Sequence, residues 1–140
     1  MNDDYESFVP TQADIRPENA SWFLDEGDDG AYLTIEVECE SLEDKDNEAL
    51  LDDYVHVAVE WFPLPGNNVD AVVGKRLQSN IFGEPAEPTL SIDGAHWRYD
   101  HATVEILKHN GDDLTVRMEF SGDIDGTGLD SFTCEVTATR

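Results

Sequence analysis

Ten consecutive residues, Ala31 to Glu40, alternate apolar and polar without a fault, and this run restricts the fold more than any other feature. Ala31, Leu33, Ile35, Val37 and Cys39 fall on one side; Tyr32, Thr34, Glu36, Glu38 and Glu40 fall on the other. A period of two is that of a β-strand with one buried and one wet face. A helix would scatter both sets around its circumference.

The same period recurs along the chain. An acidic, glycine-bearing turn, Asp25 to Gly30, joins this strand to an earlier one around Trp22-Phe23-Leu24, a hairpin signal. From Tyr54 a further strand places Val55, Val57, Val59 and Trp61 on one face, until Pro63-Leu64-Pro65-Gly66 stops it. His101 to Lys108, Leu114 to Ser121 and Leu129 to Thr139 alternate as well.

One hairpin allows a register argument. A two-residue loop at Asn110-Gly111 would set Ile106 against Thr115, apolar against polar. A three-residue loop, His109-Asn110-Gly111, instead pairs Ile106 with Leu114, Val104 with Val116 and Ala102 with Met118. It also puts Gly111 where a positive φ closes the turn.

The segment from 69 to 80 is expected to be helical. Asn68 is placed to cap it, and Val69, Val72, Val73, Arg76 and Leu77 share a helical face. Gly74 and the valine content keep a strand open as the alternative. Residues 1–19 read as a polar lead-in, with residues 20–140 as a single β-rich domain. Residues 41–53 read as an acidic loop with room for one helical turn at Glu48-Ala49-Leu50-Leu51. The expected fold is mainly β: a single-domain antiparallel β-sandwich or partly open barrel of about six to eight strands.

Charge selects partners by sign. The 140 residues carry 32 acidic and 8 basic side chains, a formal net charge of −24. Nucleic acid and anionic membrane surfaces would repel such a chain, whereas a basic protein would be attracted. No apolar run reaches the 18 residues of a membrane helix, and the acidic start, Met-Asn-Asp-Asp-Tyr-Glu, lacks the pattern of a signal peptide. A cytoplasmic protein is therefore expected, with no cofactor implied. Cys39 and Cys134 sit on apolar strand faces and read as buried free thiols, a disulfide between neighbouring strands being the alternative.

Three groups of residues are candidate sites. Asp123, Asp125 and Asp130 set oxygen ligands around Gly126 as part of a calcium loop would, although no glutamate closes the site at the twelfth position. A polar hairpin turn is the simpler reading. His96, Arg98 and Asp100 share one face of an extended segment, as a small polar site or a hydrogen-bonded surface patch. Trp61, Phe62 and Phe82 lie beside loops and would anchor an interface whose acidic rim is Glu36, Glu38 and Glu60.

Serine elbows, HExxH and phosphate loops are all missing from the sequence, so no enzyme is expected. The leading expectation is a small acidic binding module that docks a basic protein, in the manner of an immunity or inhibitor protein, as a monomer or homodimer. A second is a β-rich protein of a salt-rich cytoplasm whose acidity is environmental, which three lysines against 18 Asp and 14 Glu would suit. A third is a calcium-dependent β-domain.

Overall fold

The alternating segments form strands in the computed structural model, the last of them from Phe132 onward, and the structure describes residues 11–27, 30–41, 54–65, 68–83, 86–92, 95–126 and 130–140. The strands are β1 (Pro17–Gly27), β2 (Gly30–Ser41), β3 (Tyr54–Leu64), β4 (Arg76–Ser79), β5 (Glu87–Ile92), β6 (Ala95–Asn110), β7 (Asp113–Asp123) and β8 (Phe132–Thr139). Their spatial order is β4-β6-β5-β3-β2-β1-β8-β7, and β6 pairs with β7 as well. Seven strands therefore close into a barrel, and β4 stands outside the ring. It lies along the edge of β6 beyond β5, pairing with Ala102 to Glu105, whereas β5 takes Ala95 to Arg98. The mainly β expectation holds, and the ring is closed rather than partly open.

Alternation fills the barrel. Leu33, Ile35 and Val37 of β2, Val55, Val57 and Val59 of β3, and Val116, Met118 and Phe120 of β7 are all fully buried. Tyr99, Phe120 and Phe132 pack ring against ring, with centroids 5.1 to 5.6 Å apart. Truncating such a buried aromatic residue to alanine removes about 3–5 kcal/mol.

The long strand β6 cannot keep one parity throughout. Trp97 and Tyr99 are buried, and then Ala102, Val104 and Ile106. The change of face falls beside Gly122, whose φ is +88°. A Cβ there would lie 2.8 Å from His101 Cδ2 and 3.1 Å from the Asp100 Cβ, so the bend needs glycine.

Four sequence expectations are corrected. The segment from 69 to 80 holds a 3-10 turn, Val69–Val72, followed by strand β4, not a helix. Asn68 does cap the turn, its side chain accepting from Asp70 N at 2.8 Å. Gly74 ends it at a φ of +84°, a conformation a continuing helix cannot use. The β6–β7 turn is the two-residue Gly111-Asp112 between paired Asn110 and Asp113, not a three-residue loop. The odd residue that keeps apolar side chains opposite one another is Leu107, bulged between the pairs Ile106–Val116 and Lys108–Thr115.

The lead-in is also shorter than residues 1–19. Pro17 already belongs to β1, and Ile15 is buried in the core. Gln12 is anchored as well: its side-chain amide donates to Thr133 O at 2.8 Å and its Oε1 accepts from Thr133 N at 2.7 Å. Finally, Trp61 does not share the inward face of β3; Phe62 takes that place. Residues 1–10 and 42–53, the latter expected as an acidic loop with a helical turn, lie outside the described residues.

Candidate functional site

Strands β5, β3, β2 and β1 lie side by side, and none of them contains a lysine or arginine. Their register aligns outward residues into rows across the sheet. One row runs Asn19, Glu38, His56, Ser91, His96; the next runs Ser21, Glu36, Ala58, Thr89, Arg98. Glu36 and Glu38 are exposed and His56 is half-buried. Two shallow depressions of about 170 and 430 Å³ share Glu38 and His56 in their walls. In the third row Glu60 lies directly opposite Glu87, two like charges as cross-strand neighbours.

A bulge shapes this third row. Leu33 pairs with Phe62 and Ile35 with Val59, so Glu60 and Trp61 together face Thr34. Trp61 adopts a φ of +54°, which for a bulky side chain costs about 1–3 kcal/mol of backbone strain. Its amide donates to Thr34 Oγ1 at 3.3 Å. The indole is 45% exposed, and on the other side of Thr34 stands Phe23, 44% exposed. Thr34 itself, between them, is only 2% exposed. The bulge thus turns outward an aromatic ring that strict alternation would have buried.

Of the residues expected to dock a partner, Glu36, Glu38, Glu60 and Trp61 share this face. Phe62 does not: it is fully buried against the core and is unavailable to a partner. Phe82 is half-buried beneath the Arg98 guanidinium, 5.4 Å from its ring centre. Phe23, His56 and Glu87 were not singled out from the sequence, although the alternation around Trp22 and Leu24 already sends Phe23 outward.

The His96, Arg98 and Asp100 patch is on one surface as expected, but its contacts differ from a site in which Asp100 orients His96. Arg98 is held by Asp125 through Nε and Nη2, at 3.2 and 2.5 Å. That pairing holds the Asp125 carboxyl below its ordinary pKa. Asp100 instead accepts a long bond of 3.5 Å from the Phe82 amide.

The expected calcium turn is used the same way. Both Asp125 oxygens face Arg98, and the carbonyl of Asp130 accepts from the buried Tyr99 hydroxyl at 3.2 Å. Among the described residues no group of three or more His, Cys, Asp or Glu is arranged to hold a metal ion. Asp123 follows Gly122 on β7, opposite Tyr99, and residues 127–129 lie outside the described residues.

The far side of the barrel has a different charge pattern. Register aligns Arg76, Glu105, Arg117 and Glu135 across β4, β6, β7 and β8 in alternating sign. Arg76 also reaches Glu119 at 3.5 Å. Cys39 and Cys134 are buried free thiols inside the barrel. Burial pushes them up to about 11 and about 12, so both stay protonated at neutral pH and neither is a nucleophile.

Comparison with protein-family models, curated proteins and solved structures returns no match.

Proposed function

We propose that the outer face of β1, β2, β3 and β5 docks a basic protein, making this chain an acidic binding module of the inhibitor or immunity type. One observation carries the reading: the four strands that expose Phe23 and Trp61 hold Glu36, Glu38, Glu60 and Glu87 but no lysine or arginine, and Arg16, just before β1, pairs with Glu40 at 3.7 Å. Interfaces of this kind join an apolar anchor to a charged rim, and complementary charge raises the association rate steeply at low salt. An acidity spread for solvation alone gives no reason for lysine and arginine to be missing from these four strands while arginines alternate with glutamates across β4, β6 and β7.

The test compares two variants of equal charge. One replaces Glu36, Glu38 and Glu60 by glutamine; the other replaces Glu105, Glu119 and Glu135. A capped decalysine peptide is titrated into each at low ionic strength by calorimetry. The first variant is expected to lose most of its binding and the second to keep it. Equal loss in both would mean the peptide senses net charge only, and the docking face would be abandoned in favour of acidity as salt adaptation.

A further inference from the structure

We infer that Trp61 and its flanking carboxylates form a subsite for an arginine side chain of the partner, in preference to lysine. This inference rests on the docking face proposed above and names what that face grips.

The chain shows the arrangement once in complete form. Arg98 lies 5.4 Å over the Phe82 ring while its nitrogens bind the Asp125 carboxylate. A second arginine, Arg140, stacks 5.0 Å over Trp22. The Trp61 bulge repeats the aromatic and acidic parts without the cation. Its indole is 45% exposed, Glu60 precedes it, and Glu36 is the next outward residue after Thr34 on β2. No described lysine or arginine stacks on it, and its four strands contain none.

The geometry distinguishes the two cations. A guanidinium is planar, so its face covers an indole while its in-plane N–H groups reach carboxylates at the side. An ammonium is a compact, strongly hydrated point charge. It would satisfy Glu36 or Glu60 but gain little from the ring. The left-handed backbone at Trp61 fixes the ring outward in advance, so little ordering remains to be done on binding.

Two capped hexapeptides serve as probes, one alternating glycine with arginine and the other glycine with lysine. Each is titrated at low ionic strength by calorimetry, a readout that the unaltered protein and every Trp61 variant share. The arginine peptide is expected to bind about fivefold more tightly than the lysine peptide. Trp61→Gly, which keeps the bulge because glycine adopts positive φ freely, should erase that preference while leaving the shared charge-driven binding. Trp61→Phe should restore part of it. Equal affinities in the unaltered protein, or a preference that survives Trp61→Gly, would overturn the arginine subsite and leave the acidic docking face standing. Failure of both peptides to bind would overturn both.

Discussion

Trp22 Nε1 donates to the carbonyl oxygen of Asp112 across 2.9 Å, joining the first strand to the turn between β6 and β7. The backbone amide of Arg140 donates to the same oxygen at 2.8 Å, and the Arg140 guanidinium covers the Trp22 ring. These contacts stand where the barrel most needs them. Among the described strands the β1–β8 seam is the one parallel junction, with a single register pair, Ser21 with Thr139. Together with the Gln12 amide on Thr133, they close the ring where the ladder is thinnest.

Replacing Trp22 by phenylalanine keeps most of the buried ring but removes the donor. Stability should fall by about 1–3 kcal/mol, with the Asp112 carbonyl left to Arg140 alone. Urea unfolding measures the loss, and hydrogen exchange should quicken first at the amides around Ser21 and Thr139. An unchanged exchange pattern there would show that the seam holds without this bond.

Gly122→Ala should be among the costliest small substitutions in the chain. The added methyl meets His101 Cδ2 at 2.8 Å on a backbone whose φ is +88°. A loss of about 2–3 kcal/mol is expected, against about 1 kcal/mol for Gly126→Ala, where φ is +65° but nothing lies within reach. Thermal melts of the two variants side by side check the difference.

The two thiols give a sign for alkaline pH. Their folded pKa values lie above the ordinary 9.0, at about 11 and about 12. Burial therefore favours folding below pH 9, and this contribution fades as the pH rises from 9 toward 11–12 and the unfolded thiols ionise first. Replacing Cys39 and Cys134 by alanine should flatten that part of the stability curve. In the folded protein at pH 8, Ellman's reagent should label neither thiol faster than global unfolding exposes it.

Glu60 and Glu87 repel across β3 and β5, so dilute buffer should reveal the cost. Glu87→Gln is expected to raise the melting temperature at low salt and to change it little in about 1 M potassium chloride, where the Debye length is about 3 Å. An equal gain under both conditions would point to packing instead of charge.

Acid should loosen the Arg98 contact. The Asp125 carboxyl is held below its ordinary 3.8, so its share of stability is intact above that value and is lost as the pH falls through the depressed one. Asp125→Asn should remove this acid limb, read as a flatter dependence of the melting temperature between about pH 5 and pH 2.

Much of the barrel was legible because alternation is local. Ala31 to Cys39 and Leu114 to Phe120 declare their buried face without help from the rest of the chain. Closure was not legible: it depends on β1 meeting β8, segments more than 100 residues apart whose pairing leaves no periodic trace. The β6–β7 hairpin shows the boundary well. Parity required one extra residue, and the sequence offered no reason to place it at Leu107 instead of in the turn. The site was half legible for a related reason. Glu36, Glu38 and Glu60 alternate outward, but the bulge that exchanges Trp61 and Phe62 between outside and inside breaks the very rule used to assign them.

The wall of this ring is one residue thick. What fills it and what it shows to the world therefore sit on alternate positions of the same strands. Substitution at Ser21, Glu36, Glu38 or His56 can re-letter the exterior while Trp22, Ile35, Val37 and Val57 keep the shape unaltered. A scaffold built this way can take on a new exterior by point mutation, without relearning how to fold.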